Sequence, residues 1–315
     1  MAAFLEFEKP IAELQARIVE LTDTAQASEG AIDIASEVSK LQTKSDRLLR
    51  ETYARLTPWQ KTQVARHPER PHLKDYLAGF VSDFMPLAGD RAFADDQAII
   101  GGLGRIGEHR VVVIGHEKGD DTASRIRHNF GMAKPEGYRK AIRLMRLAER
   151  FGLPVVTLVD TAGAFPGVQA EERGQAEAIA RSTEQCLALT VPIVAAIVGE
   201  GGSGGAVALA AANRVLMFEH AIYSVISPEG ASSILWRNAE KAADAAEAMK
   251  ITAADLKRLG VVDRVVTEPV GGAQRDPAAA IAALGQAMDE ELTTLAGENA
   301  AALLAQRRAK FLAIG

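Results

Sequence analysis

A single cysteine, Cys186, occurs in the 315 residues. That excludes a disulfide framework or a four-cysteine zinc site built within the chain, and a reducing, cytoplasmic compartment is the simplest expectation. The six histidines, at 67, 72, 109, 116, 128 and 220, show no H-x-x-x-H or H-x-x-E-H spacing, so no metal site is expected. No apolar run approaches the roughly 18–20 residues that cross a bilayer; the longest candidate, Ala206 to Phe218, is broken by Asn213 and Arg214. A basic excess is lacking too. Lys and Arg total 36 against 41 Asp and Glu, a net charge of −5, which disfavours a nucleic-acid partner. The amino terminus carries Glu6 and Glu8 with no basic stretch ahead of an apolar one, so it does not read as a secretory signal. No internal repeat is visible. What remains is an ordinary globular composition, 48% hydrophobic and 24% charged, sized for one large domain and an appendage.

The first ~90 residues read as helical and polar. Pro10 suits the first turn of a helix to about Leu21. A second helix, from about Ile32 to Leu56, carries Ile34, Val38, Leu41, Leu48 and Leu49 as one apolar stripe that needs a partner surface. A hairpin closing on itself or on the main domain meets that need, and so does an arm gripping another subunit. Pro58, Pro68 and Pro71 mark residues 57–74 as a turn-rich junction, with Arg66, His67, Arg70 and His72 as a solvated connection.

From about residue 88 the texture changes. Ala98–Ile106 and Arg110–Ile114 read as strands joined at Gly107, followed by a helix from Glu136 to Phe151 that buries Tyr138, Ala141, Ile142, Met145 and Ala148 and stops at Gly152. Strand Val155–Val159, helix Gln175–Leu189, strand Pro192–Val198, a short helix Ala206–Ala212 and strands Arg214–Phe218 and Ile222–Ile226 follow. Alternating, continuously apolar strands indicate an α/β fold with a largely parallel sheet covered on both faces. A Thr252/Asp255 capping pair opens a helix that Gly260 stops, before strand Arg264–Val266 and a helical tail over Pro277–Ala296 and Asn299–Leu312.

The densest feature is Gly199-Glu200-Gly201-Gly202-Ser203-Gly204-Gly205-Ala206, between a buried strand and a helix. Glycine lets backbone approach a ligand closely, and a helix start offers unpaired N–H groups with partial positive charge. Such a place suits a phosphate or a developing oxyanion. Three patterns overlap. Gly199, Gly201 and Gly204 satisfy G-x-G-x-x-G, with Glu219 lying 20 residues past Gly199, as in a dinucleotide fingerprint; the short helix and the two βα units ahead of it count against that. Gly201 to Gly205 satisfy G-x-S-x-G, a hydrolase elbow with Ser203 as nucleophile. Its acid and base would be Glu219 and His220, and neighbours on an extended strand point to opposite faces. Third, Gly204 and Gly205 form an oxyanion hole with no side-chain nucleophile, each amide worth roughly 3–4 kcal/mol. A glycine turn that merely packs helix on strand is the plain alternative.

A second loop, Asp160-Thr161-Ala162-Gly163-Ala164-Phe165-Pro166-Gly167, also follows a strand, and in a parallel sheet both emerge at the carboxyl edge where ligands bind. Glu171, Glu172 and Arg173 beyond it read as caps and solvated charges rather than catalysts. Gly115-His116-Glu117-Lys118-Gly119, with Arg125, Arg127 and Arg139 nearby, reads equally as an anion site or as surface charge. Glu229 reads as a first-turn acid favoured by its helix dipole.

These segments together resemble a known family. ADDQAIIGGLGRI, VIGHEKG, NFGMAKPEGYRKAIRLM, DTAGAFPGVQAEERGQAEAIA, GEGGSGGAVAL, YSVISPEGASSILW and EPVGGAQRDP are similar to the α subunits of bacterial acetyl-CoA carboxylase carboxyltransferase. The opening FLEFEKPIAELQARI and the WQKTQVARHPERPHLKDYL segment extend the likeness over essentially the whole chain, and AMKITAADLKRLGVVDRVV resembles the wider crotonase superfamily.

The resemblance implies a crotonase-like (ClpP/crotonase) fold of superhelical ββα units, with a helical arm over 1–90, a core over 91–270 and a helical extension over 271–315. It implies a heterotetramer of two α and two β subunits that moves a carboxyl group from carboxybiotin, borne by a biotin carboxyl carrier protein that a biotin carboxylase loads, to acetyl-CoA, giving malonyl-CoA for fatty-acid synthesis. Biotin would not be bound covalently here, and zinc would belong to β alone. Gly204 and Gly205 would hold the biotin urea oxygen, β would hold the thioester oxygen, and the released biotin enolate would take the methyl proton, so no side-chain base is needed. Gly163, Ala164, Phe165, Pro166, Gly167, Gly201, Gly202 and Ser203 would line the substrate site. The family's D-T-P-G-A-Y-P-G loses a proline at Ala162 and a hydroxyl at Phe165, and Asp120 stands where relatives carry a base. Against this stand a lone-acting crotonase, such as a hydratase or decarboxylase, and a nucleic-acid-binding regulator.

Overall fold

The computed structural model describes residues 3–27 and 34–314. Helices α1 (Lys9–Ala27) and α2 (Ile34–Tyr53) pack on one another as a hairpin; the expected helix start at Ile32 lies outside the described residues. Val38, Leu41, Leu48 and Leu49 are half-buried. The base of the hairpin is pinned by Glu8, which is 1% exposed: it accepts from Tyr53 Oη at 3.0 Å and from Arg275 Nη2 at 2.7 Å.

Residues 57–74 depart from expectation. They form α3 (Pro58–Ala65) and open α4 (Leu73–Phe80), and their charges are paired inside the molecule instead of solvated. Arg70 is 4% exposed and grips Glu268 with two bonds of 2.7 and 3.0 Å, while donating to the Val198 carbonyl at 2.8 Å. Arg66 joins Glu200 at 2.6 Å and Glu229 at 2.6 Å. His67 is also buried, and His72 is half-buried. Pro58 starts α3, where its missing N–H costs nothing, while Pro68 and Pro71 lie in the turn between α3 and α4; the acids that bring arginine inward lie 130 to 200 residues away in the chain.

The core is one mixed sheet: β1 (Ser82–Pro86), β2 (Ile99–Ile106) and β3 (His109–His116) are antiparallel neighbours, with Gly107 at φ +54° in the β2–β3 turn. After α5 (Thr122–Arg127), helix α6 (Pro135–Phe151) crosses over to β4 (Val155–Thr161), parallel to β3. Pro135 starts α6 and Gly152, left-handed at φ +63°, ends it. Tyr138, Ala141, Ile142, Met145 and Ala148 make its buried stripe, as the periodicity predicts. Short α7 (Val168–Glu172) and α8 (Gln175–Ala188) lead to β5 (Ile193–Gly202), parallel to β4 and buried along its whole length.

β5 changes partner midway. Val194–Ile197 pair with β6 (Arg214–Phe218), whereas Glu200–Gly202 pair with β7 (Ile222–Ser224). The glycine cluster up to Gly202 is therefore strand, and α9 (Ser203–Ala210) starts inside the cluster, three residues earlier than expected. Helices α10 (Pro228–Trp236), α11 (Ala242–Ala248) and α12 (Ala253–Arg258) precede β8 (Arg264–Val266), which pairs with β6. Thr252 caps α12 through the Asp255 N–H, and Gly260 follows at φ +75°.

Helix α13 (Pro277–Leu295) packs on α4 and the sheet, and α14 (Ala300–Ala313) on α8. From α14, Arg307 is 0% exposed and has no carboxylate partner among the described residues. It donates instead to the carbonyls of Cys186, Leu187, Leu189 and Val191 and to Asn213 Oδ1. Those carbonyls lie at the end of α8 and the entry to β5, orphans of a helix terminus that need a donor. Burial pushes the guanidinium's pKa down to about 10.

Candidate active site

The two glycine loops meet backbone to backbone. A Cβ on Gly202 would lie 2.2 Å from the Ala162 carbonyl oxygen, and one on Gly205 2.8 Å from the Gly163 carbonyl carbon and 3.0 Å from the Ala164 nitrogen. Neither position has room for a side chain. Gly205 is buried; Ser203, Gly204, Ala164, Phe165 and Gly167 are half-buried, and Ala162 and Pro166 exposed. Gly204 sits against Ile179 of α8, where a Cβ would be 3.2 Å away. The strand β5 ends and α9 begins at Ser203 itself, whose φ of +54° makes the turn abrupt. No side chain caps this helix start, so the first-turn amides, those of Gly204 and Gly205 among them, have no partner within the helix.

The β4 loop is held from its own side. Thr161 Oγ1 donates to the Gly163 carbonyl at 2.7 Å and accepts the Gly163 N–H at 3.1 Å. Phe165 N–H donates to Ala133 O, and Gln175 Nε2 donates to both Ala133 O and Phe165 O, at 2.8 and 3.0 Å. Lys134 Nζ lies 5.0 Å over the Phe165 ring. Sequence reasoning missed Gln175 and saw Tyr138 only as core. The Tyr138 hydroxyl is buried without a hydrogen-bond partner, 3.1 Å from where a Gly205 Cβ would be, and burial raises its pKa, with Asp96 adding to the effect. A tyrosine in an otherwise aliphatic stripe was the signal available.

The hydrolase pattern has its turn but not its relay. Glu219 and His220 occupy a turn rather than a strand, and the two side chains do meet, at 3.1 Å, which corrects the expectation that they point apart. Among the described residues, however, no side chain hydrogen-bonds Ser203, and His220 stacks its ring edge on Tyr53 at the hairpin base. The dinucleotide pattern fails on geometry, because Gly199 and Gly201 are strand residues.

At the end of β3, Lys118 is tied to Asp160 at 2.6 Å and His116 is 2% exposed. Burial pushes the His116 pKa down to about 4, with the Asp160 charge opposing. A cavity of about 150 Å³ there is lined by Arg66, Arg70, Lys118, Arg125 and Phe130. All but Arg125 of its cations are already paired, so the anion reading of this turn gains nothing. Glu171 and Glu172 are exposed, whereas Arg173 grips the buried Glu136 at 2.5 Å. Glu229 pairs with Arg66, which lowers its pKa against the opposing effect of burial.

Against Val207 of α9 lies an open apolar groove of about 320 Å³, walled also by Tyr223, Val225, Met249, Ile251 and Leu256. Val225 in that groove is 79% exposed, and Ile234 and Leu235 of α10 are 72% and 65% exposed.

The family model described as acetyl co-enzyme A carboxylase carboxyltransferase-like matches residues 4–315. The acetyl-coenzyme A carboxylase carboxyl transferase subunit alpha of Rhizorhabdus wittichii is 80% identical over all 315 residues and the whole of that protein, and that of Sphingopyxis alaskensis is 69% identical over 100% of this chain and 99% of its own. The chain belongs to the carboxyltransferase α-subunit family of acetyl-CoA carboxylase. Members are components of a multi-subunit, biotin-dependent carboxyltransferase serving fatty-acid synthesis. Among solved structures, transcarboxylase 12S superposes with a TM-score of 0.55 at 21% identity, over 68% of this chain and 41% of that longer one. The Pseudomonas malonate decarboxylase MdcD–MdcE hetero-dimer superposes with a TM-score of 0.55 at 16% identity, over 68% and 88%. The fold of this α subunit is thus crotonase-like. Among the described residues no helix is long and apolar enough to cross a membrane.

Proposed function

We propose that this chain supplies the biotin half of a divided active site, in which a β subunit completes an α2β2 carboxyltransferase in the cytoplasm. The observation that carries the reading is the junction of Gly202 and Gly205 with Ala162–Ala164: it leaves uncapped first-turn amides, at half-buried Gly204 and buried Gly205, where side chains are excluded. Those of Gly204 and Gly205 donate to the urea oxygen of a biotin brought by its carrier protein. Gly163, Ala164, Phe165, Pro166 and Gly167, with Gly201, Gly202 and Ser203, form the walls, and the apolar groove beside Val207 takes the ring and its tether.

Carboxybiotin supplies an activated carboxyl group and, once that group has left, a urea oxygen bearing charge. Amides fixed in a helix start stabilise that charge without reorganising. Over the reaction the N–C bond to the carboxyl breaks, a C–C bond to the acetyl-CoA methyl forms, and the methyl proton ends on the freed urea nitrogen. No side chain of this α subunit is needed as base, which fits a site where Ser203 has no hydrogen-bonded acid or histidine. The thioester end, and any zinc, belong to β. Within residues 1–90 the α1–α2 hairpin serves assembly, while α4 and β1 pack into the core; residues 91–270 serve the chemistry and 271–315 the closing of that core.

The test is malonyl-CoA decarboxylation coupled to carboxylation of free biotin. Activity is expected from the α–β mixture and not from this chain alone; a lone chain that turns over promotes the stand-alone crotonase. Gly205→Ala keeps its N–H but sets a Cβ 2.8 Å from the Gly163 carbonyl carbon; the shifted amide should cut turnover in the mixture by about a hundredfold, the scale of one misplaced oxyanion donor, while the variant still co-elutes with β. Normal turnover from that variant removes the oxyanion hole.

A further inference from the structure

The outer face of α6 carries Arg139, Arg143 and Arg146 at positions i, i+4 and i+7. At 1.5 Å per residue they span about 10 Å of one side of the helix. Arg91, from the turn before β2, and Arg181, from α8, face them across a groove of about 420 Å³. Only two acids line it, Asp90 and Glu177. Asp90 Oδ1 is occupied by the N–H groups of Ala92, Phe93 and Ala94, at 2.8–3.0 Å. Glu177 pairs with Arg181 at 3.2 Å.

Among the described residues the other four arginines have no carboxylate partner. Neutral acceptors hold three of them: Arg139 on the Arg173 carbonyl, Arg143 on those of Leu87, Ala88 and Gly89, Arg146 on Gln185 Oε1. A carbonyl dipole aims a guanidinium without cancelling its charge. The crowding is felt at Arg143, whose proton affinity is lowered by desolvation and by Arg91 against the opposing pull of Asp90 and Asp95. In a chain of net charge −5, this is a concentrated positive field.

Its location narrows the occupant. Arg139 bonds the turn at Arg173, a few residues after the Gly163–Gly167 loop, and lies 3.5 Å from where a Gly174 Cβ would be. An acidic body in the groove therefore ends beside the loop that walls the site. Three arginines over some 10 Å of α6 and two more across the groove fit the face of a folded protein better than a single phosphate. A nucleic-acid backbone would have to run on over an acidic molecule, where the counterion gain is lost.

We propose, resting on the function above, that this arginine groove docks an acidic face of the biotin-bearing carrier and so aims the biotin at Gly204 and Gly205. Pairing of this kind acts mainly on encounter and is weakened by salt.

The test uses the assembled α–β complex, with free biotin and a biotinylated carrier domain as alternative acceptors from malonyl-CoA. Arg91 and Arg146 are exposed, so the double variant Arg91→Glu/Arg146→Glu is the probe. Its KM for the carrier should rise about tenfold or more and lose most of its dependence on NaCl, with kcat and free-biotin kinetics unchanged; Arg91→Lys/Arg146→Lys should behave as wild type. An unmoved carrier KM beside normal free-biotin turnover overturns the groove alone. So does failure of the Glu variant to co-elute with β, which makes the face a subunit interface, or loss of binding to a labelled single-stranded RNA with carrier KM unmoved, which makes it a nucleic-acid face. A wild-type complex idle on both acceptors overturns the site reading and the groove with it.

Discussion

Strand β5 is held near its carboxyl end in two ways. At Gly202, peptide lies on peptide, with Ala162 O where a Cβ would go. A few residues upstream, the Val198 carbonyl and the Glu200 carboxylate are gripped by Arg70 and Arg66. The first junction excludes side chains and leaves amides free for a ligand. The second is made by guanidinium side chains on carboxylates and one strand carbonyl, with Arg70 Nε left without a partner among the described residues. The same strand thus carries a face that can serve chemistry and a face that anchors the segment before the sheet, and the two should fail differently.

The largest effect is expected at the ionic junction. Arg70→Ala leaves Glu268 buried and unpaired, at 0% side-chain exposure, a loss of about 3–5 kcal/mol in urea unfolding. A small loss would mean that the junction is not fixed by that pair. The glycine junction comes next: Gly202→Ala forces the β4 loop away, costing roughly 1–3 kcal/mol for overpacking but at least tenfold in turnover. Loss of stability without loss of turnover would break the contrast.

A pH series sharpens it further. The folded pKa of His116 is depressed to about 4 from 6.5, so below pH 6.5 the unfolded chain takes up a proton that the folded one refuses. Stability is therefore full above 6.5 and falls as pH drops toward 4, on the order of 2 kcal/mol by pH 5. His116→Asn should flatten that stretch of the unfolding curve. Glu268 works in a lower window: burial would raise its pKa, but Arg70 overrides and holds it down, so its stabilisation persists above the ordinary carboxylate value near 4.3 and is lost only as pH falls through the folded one. The smallest effect is expected from Tyr138→Phe. Its hydroxyl has no hydrogen-bond partner among the described residues, so stability should move by less than about 1 kcal/mol; a drop in turnover would make the hydroxyl part of the site.

The contrast also explains what was legible beforehand. Strands β2 to β6, α6 with its proline start and glycine stop, and the Thr252 cap follow from local patterning, and all stand near their expected places. The glycine loops announced themselves because few other roles demand so many glycines after an apolar strand. Arg66 and Arg70 misled because a charge in a polar, proline-rich stretch looks solvated until its acid appears far along the chain. Gln175 and the arginine groove were hidden for the same reason: each depends on elements brought together only by the crossover of α6 and α8.

Arg307 extends that dependence on late residues. The entry to β5 is completed by a donor that follows Leu189 by 118 positions, so during synthesis every glycine of the site leaves the ribosome well before the group that ties down the strand bearing them. A nascent chain short of α14 holds the candidate site on a support that still lacks the Arg307 donor, so that support is complete only once α14 has packed.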